Sequence, residues 1–247
     1  MDFELANALA RIVELKDQST GAHTWRVTMY AQAVAEAERM PISTVMGFML
    51  GAVLHDIGKI DIPAGILSKP GRLTDAEYET MKSHTVLGWE RVQRMGVRDP
   101  LVLHVIRSHH ERIDGSGYPD GLVGEAIPIA ARWFSVIDGF DAMTSLRPYR
   151  DGVGEDAAAR AIADLREHAG TWYEPRAVEV FDELHQTGRL DSILEHLNDR
   201  EGQASLVGPL DSEAMSIARN ALLESTTDAE DVRRIEAILD LASEQTR

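Results

Sequence analysis

The 247-residue sequence contains no cysteine, which removes disulfides, thiolate metal sites and a cysteine nucleophile together. Any metal must then be held by His, Asp or Glu. No apolar run approaches the roughly 18 residues that suggest a membrane span. The N-terminal stretch MDFELANALARIVELKD also lacks the basic start and apolar middle of a signal peptide. A cytoplasmic location with no membrane partner is therefore expected. Basic residues are in short supply: 25 Lys and Arg stand against 41 Asp and Glu, a formal net charge of −16. That balance argues against binding long nucleic acids or anionic membrane surfaces, both of which need a basic face. The deficit is uneven, since residues 1–150 carry 16 basic against 19 acidic groups and residues 151–247 carry 9 against 22. Six of the nine histidines lie in the nearly neutral first part.

Runs of β-branched residues bounded by turn signals are scarce as well, whereas apolar residues recur at three- and four-residue spacing almost throughout. The pattern predicts an all-α fold, long enough for one or two domains. A first helix ends at Asp17 to Gly21, and a second runs from about Ala22 to Arg39. Ser43 is placed to cap an apolar third helix from Thr44 to about Asp56, followed by a loop through Gly58, Pro63, Gly65, Pro70 and Gly71. Thr74-Asp75-Ala76-Glu77 reads as a capping box opening one helix to about Met95, with His84 inside it. Asp99-Pro100 starts another that ends at His109-His110. A Gly- and Pro-rich stretch follows, then helices at about 129–144, 155–168, 175–187 and 189–197. Residues 1–197 are taken as one domain, 198–210 as a linker and 211–247 as a helical extension whose last helix opens on a capping box at Thr227 to Glu230.

His55-Asp56 sits at the end of an apolar helix, in the string Leu54-His55-Asp56-Ile57-Gly58-Lys59. A lone histidine there is more often a packed core residue than a ligand. Here His23, His84, His109, His110 and Asp138 also fall on or near helix ends that can face a common centre. Imidazole with carboxylate suits Mn, Fe, Zn or Ni better than Ca or Mg. Seven such groups are too many for one ion with an open position and suit two ions bridged by a carboxylate. Such a pair, about 3.5–4 Å apart, can hold a hydroxide for in-line attack on phosphorus. Lys59 lies where it can meet a phosphate oxygen, with a solvated lysine as the equal alternative.

Four strings are similar to the HD-GYP family of metal-dependent phosphohydrolases that degrade cyclic di-GMP. They are Thr20 to Val27, His55-Asp56-Ile57-Gly58-Lys59, the string His109-His110-Glu111-Arg112-Ile113-Asp114-Gly115-Ser116-Gly117-Tyr118-Pro119, and Asp138 to Thr144. The resemblance covers roughly residues 5–190 and implies an HD-superfamily helical bundle with a Gly-Tyr-Pro loop beside a metal site. It implies one ion on His23, His55, Asp56 and Asp138 and a second on His84, His109 and His110, with Asp56 bridging. It further implies Lys59 on the scissile phosphate, Arg147 and Arg112 on substrate phosphate, and Tyr118 packing or hydrogen-bonding at the loop. Family members with three metals carry a Glu four residues before the first ligand histidine, where this sequence has Ser19. Two divalent ions, iron or manganese, are therefore expected.

The function so implied is hydrolysis of cyclic di-GMP to pGpG, and on to GMP. Its rivals are a weakly catalytic dinucleotide-binding or signalling module, oxygen chemistry at a two-iron centre, and hydrolysis of another nucleotide. The apolar face of Val232, Ile235, Ile238, Leu239 and Ala242 is suited either to packing on the core or to pairing with a second copy as a homodimer, and docking on other cyclic di-GMP signalling proteins belongs to the binding-module reading. Asp141 is read either as orienting a ligand histidine or as a structural cap, and Glu111 either as supporting the site or as solvated. His104, His168, His185 and His196 are read as ordinary packed or surface residues.

Overall fold

A computed structural model describes residues 1–17, 21–145, 156–198 and 212–245. Among these, helices account for the architecture and no strand forms; the only pairings of extended chain are two isolated bridges, Asp114 with Val123 and Ala169 with Tyr173. The order is α1 (Phe3–Lys16), α2 (Gly21–Ala37), α3 (Ile42–Leu54), a 3₁₀ turn (Ile57–Asp61), α4 (Ala64–Leu67), α5 (Asp75–Lys82), α6 (His84–Arg94) and α7 (Pro100–Ser108). After a second 3₁₀ turn (Gly124–Ala126) come α8 (Ile129–Thr144), α9 (Ala157–Glu167), α10 (Pro175–Gln186), α11 (Asp191–Asn198), α12 (Ser212–Glu224) and α13 (Ala229–Gln245).

Two apolar clusters share the central helices. One, around Tyr30, Phe134, Phe140 and Phe181, joins α2, α3, α8 and α10. The other gathers Leu9 and Ile12 of α1 with Leu54, Ile57 and Ile106 and with Ala218, Leu222, Ile235 and Leu239 of the last two helices. The apolar face of α12 and α13 is thus buried against α1 of the same chain. The linker expected at 198–210 lies almost wholly outside the described residues.

Three local expectations are corrected. Helix α3 begins at Ile42 rather than behind Ser43, because Pro41, with φ fixed near −55°, offers its carbonyl to both Thr44 and Val45. The helix expected over 75–95 breaks at Ser83, so His84 opens a new helix rather than lying inside one. There the hydroxyls of Ser83 and Thr85 donate to the carbonyls of Thr80 and Lys82, competing with the helical ladder. The break also fits a tight tertiary contact: a Cβ added to Gly58 would lie 1.9 Å from the His84 carbonyl oxygen, so only glycine lets the 3₁₀ turn sit there. Finally, α13 is capped by Asp228, whose side chain accepts from the Asp231 amide, one residue later than the expected Thr227. The capping box at Thr74 and Glu77 forms as expected.

The 3₁₀ turn after the His-Asp pair is held from two sides. Arg91, 2% exposed, grips both carboxylate oxygens of Asp61 at 2.6 and 3.1 Å and reaches Ser225 Oγ and Thr226 Oγ1 after α12. Lys16 Nζ donates to the carbonyls of Ile60 and Ile62. Burial lowers the Lys16 ammonium to about 8, with Arg234 adding to the effect. The turn that carries Lys59 is therefore tied to α1, α6 and the C-terminal helix pair together.

Candidate metal centre

Seven side chains on or just after five helices converge at one end of the bundle. His23 comes from the first turn of α2, His55 and Asp56 follow α3, and His84 opens α6. His109 and His110 follow α7, and Asp138 projects from α8. Close packing of α3 on α7 brings their ends together: a Cβ on Gly51 would sit 2.9 Å from Val105 Cβ.

The orientation of the rings is decisive for their chemistry. The Nδ1 atoms of His55 and His84 lie 2.8 Å from the carbonyls of Ala52 and Met81, and that of His109 lies 3.0 Å from Val105. His23 Nδ1 is 2.7 Å from Asp141 Oδ2. Carbonyls and carboxylates only accept, so each Nδ1 carries a proton and Nε2 is the ring atom turned toward the centre for ligation. Those Nε2 atoms face one another, 3.1 Å apart between His23 and His55 and 3.4 Å between His84 and His109. Ring nitrogens this close must share either a proton or a cation.

The donors form overlapping sets: His84, His109 and His110; His23, His55 and Asp138; and His55, Asp56 and His109, with the ligand atoms of each set within 4.8 Å of one another. Asp56 joins the two ends. Its Oδ2 is 3.2 Å from His55 Nε2 and its Oδ1 is 3.4 Å from His84 Nε2. The donor set, nitrogen-rich with carboxylate, fits borderline divalent transition metals.

Electrostatics separate the two ends. Burial, aided by Lys59 at His84 and by the neighbouring histidines at His109 and His110, holds these three below the ordinary imidazole value, so they are neutral and ready to ligate. Burial also works against protonation of His55, but the Asp56 carboxylate beside it, helped by Asp138, outweighs that and raises it. Asp56 stays ionised despite its burial because Lys59 and His55 hold its carboxyl well below the usual range. Lys59 Nζ lies 2.8 Å from Asp56 and 3.2 Å from Asp17, and the two acids outweigh burial to keep it charged. Asp17 was read from the sequence only as a helix terminator. A carboxylate at a helix C-terminus opposes the macrodipole, and that mismatch is the one signal that marks it for a partner.

Asp141 resolves its two readings: fully buried, it accepts from His23 and from Arg26 Nε and Nη2, and Ser145 Oγ also contacts it. Glu111 is buried rather than solvated, and it accepts from the amides of Asp120 and Leu122, which shapes the loop after His110. In that loop a Cβ on Gly117 would lie 2.3 Å from the Arg112 main-chain nitrogen, so glycine is required where the chain folds back and the Tyr118 amide donates to the His110 carbonyl. The Tyr118 ring then stands 4.8 Å from His110. Arg112 goes elsewhere, with its guanidinium 3.8 Å from the Trp172 ring centroid and away from the cleft lining. Arg147 and Ser19 lie outside the described residues. His104 is exposed, and His168 stacks on Trp172 at 3.9 Å. A cleft of about 420 Å³ opens over the cluster, lined by His23, Asp56, Lys59, His84, Tyr118 and Asp138 among others.

A family model described as HD domain matches residues 7–177. The chain belongs to the HD domain family. The HD-GYP resemblance read from its strings agrees with the relatives this HD domain protein matches. It is 44% identical over 191 residues to the "Cyclic di-GMP phosphodiesterase response regulator RpfG" of Xanthomonas campestris pv. campestris, covering 77% of this chain and 49% of the relative. It is 41% identical over 187 residues to a "Cyclic di-GMP phosphodiesterase" of Thermotoga maritima, covering 74% and 50%. A "3'3'-cGAMP-specific phosphodiesterase 2" of Vibrio cholerae is 36% identical over 178 residues, covering 72% and 34%. The chain therefore spans about half the length of the first two relatives. Among solved structures, a cyclic GMP-AMP specific phosphodiesterase of V. cholerae superposes with a TM-score of 0.64 at 16% identity, over 98% of this chain and 61% of the other. An HDG"Y"P protein from Bdellovibrio bacteriovorus gives 0.52 at 21% identity, over 68% and 53%. Both share the helical fold. No helix among the described residues is long and apolar enough to cross a membrane.

Proposed function

We propose that the HD domain protein hydrolyses cyclic di-GMP to linear pGpG, with GMP as the product of a second cleavage. The observation that carries the proposal is the placement of Asp56, whose two oxygens face two separate groups of histidine Nε2 atoms. The names of the relatives, cyclic di-GMP and cGAMP phosphodiesterases, supply the substrate class. We assign one ion to His23, His55, Asp56 and Asp138 and a second to His84, His109 and His110, with iron or manganese as the metal. Bound there, two divalent ions would lower the pKa of water near phosphorus and neutralise charge on the phosphoryl oxygens.

The chain's own groups do the rest. Lys59, charged and aimed into the cleft between Asp17 and Asp56, meets a non-bridging phosphate oxygen and stabilises the negative charge that grows in the transition state. Asp141 holds His23 in one tautomer, and main-chain carbonyls do so for His55, His84 and His109. Tyr118 closes one wall of the cleft beside His110. Arg147 is kept as a candidate phosphate contact, and Arg112 is not. Residues 1–197 carry the chemistry, with 211–247 as support in a cytoplasmic signalling enzyme, and 198–210 as the linker between them.

The test is incubation of purified protein, reconstituted with Mn(II) or anaerobically with Fe(II), with cyclic di-GMP. Linear pGpG is expected from wild type, and His55→Ala and Asp56→Ala are expected to lose at least about a thousandfold in rate. Equal rates in all three proteins would refute the site. Tight binding of cyclic di-GMP without turnover would favour a signalling module instead.

A further inference from the structure

The aromatic surface of the site continues past the histidines. Tyr118 stands 4.8 Å from the His110 ring, and the Tyr78 ring follows 6.4 Å beyond Tyr118, turned by 78°. Tyr78 belongs to α5, a helix with no buried residue, and is itself 49% exposed. Core packing therefore does not explain a large aromatic ring at that position. One turn further along α5, Lys82 places Nζ 5.4 Å from the Tyr78 centroid and 5.8 Å from the Tyr118 centroid. Its ion pair with Glu79, at 2.6 Å, involves a carboxylate side chain 69% exposed, and surface pairs of that kind are readily exchanged for another acceptor. Met81 and Leu73, on and before the same helix, line the cleft together with Tyr118, and Tyr78 and Lys82 stand just outside that lining against the Tyr118 ring.

A phosphodiester seated over the histidines and Asp56 carries its base one ribose away, which takes the base outward past Tyr118. Every nucleobase offers a flat face for stacking on tyrosine. Guanine also presents two acceptors, O6 and N7, on one edge, whereas adenine puts an amino donor where guanine has O6. An ammonium held between two aromatic rings therefore favours guanine over adenine. We propose that Tyr78 and Lys82, together with Tyr118, form a guanine-binding subsite at the rim of the cleft, with Lys82 setting base preference. The proposal deepens the cyclic di-GMP reading and rests on it. The distinction is a real one for this fold, because the relatives include enzymes named for cyclic di-GMP and others named for 3'3'-cGAMP.

The experiment measures kcat and KM of the metal-loaded protein for cyclic di-GMP and cyclic di-AMP, and calorimetric binding of linear pGpG. The proteins compared are wild type, Tyr78→Ala, Tyr78→Phe and Lys82→Met. Tyr78→Ala is expected to raise KM for cyclic di-GMP, and the Kd for pGpG, by about tenfold with kcat within about twofold, and Tyr78→Phe to behave as wild type. Lys82→Met is expected to shrink the kcat/KM preference for cyclic di-GMP over cyclic di-AMP by about fivefold. Unchanged KM and pGpG affinity in Tyr78→Ala would overturn the subsite, as would a Tyr78→Phe protein as impaired as the alanine variant. A wild type that hydrolyses neither dinucleotide defeats the parent reading instead; pGpG binding then decides alone, weakened by Tyr78→Ala if the subsite exists and unchanged if it does not.

Discussion

The two ends of the histidine cluster are oriented by different means. At one end His23 is fixed by a side chain, Asp141, which is itself clamped by Arg26 and Ser145 in a fully buried network. At the other, His84 and His109 are fixed by main-chain carbonyls of the preceding turn, an arrangement that His55 shares. The first end also contains Asp138, while the second has three histidines and only a share of Asp56. A carboxylate behind an imidazole makes it a stronger donor, and it introduces a single point of failure. A backbone carbonyl gives less charge and cannot be deleted by substitution. The ends should therefore differ in charge, in proton content and in sensitivity to mutations behind the ligands.

The largest effect comes from removing what joins them. Asp56→Ala should lower binding of both ions together and abolish turnover, whereas His23→Ala and His84→Ala should each lower the stoichiometry from about two ions to about one. Metal analysis of the three purified variants measures this. If His23→Ala and His84→Ala each empty the whole site, the ends are not separate and the comparison fails.

A smaller effect sharpens it. Asp141→Asn removes the charge behind His23 and leaves every proposed ligand in place. Affinity for the ion at the His23 end should fall by about 10- to 100-fold, with the His84 end unchanged. Competition with a chelator resolves the two ions, and equal weakening at both would show that Asp141 supports the fold rather than one end. No equivalent variant exists for His84 or His109, whose partners are main-chain atoms.

Much of this was legible in the sequence, for reasons that differ from residue to residue. His55-Asp56 followed an apolar helix, and His109-His110 ended another, so local periodicity placed both near helix ends. Asp138 and Asp141 are three apart on α8, which gave them a common face, but only the fold shows Asp141 behind His23 rather than capping a helix. The break at Ser83 was hidden because periodicity runs straight through it, and the Gly58 contact against His84 is made across 26 residues. Arg112 sits inside the motif that suggested a phosphate contact, yet its partner Trp172 is distant in sequence. Asp17 was hidden for the same reason, since its meaning depends on Lys59.

The most modest prediction concerns protons. In the metal-free protein His55 is raised above the ordinary value of about 6.5, so it still holds a proton at and somewhat above that pH. A cation entering the His23, His55 and Asp138 end must expel that proton, so affinity there rises with pH until His55 has titrated. His84, His109 and His110 are pushed below about 6.5 and have already lost their protons near neutrality, so affinity at their end is flat over the same range. Calorimetric metal titrations near pH 6.5, in two buffers of different ionisation enthalpy, count the protons released. With His84→Ala isolating the first end, about one proton per ion is expected; with His23→Ala isolating the second, close to none. The opposite ordering would mean that the carboxylates do not hold a proton on His55, and the electrostatic half of the contrast between the two ends would be lost.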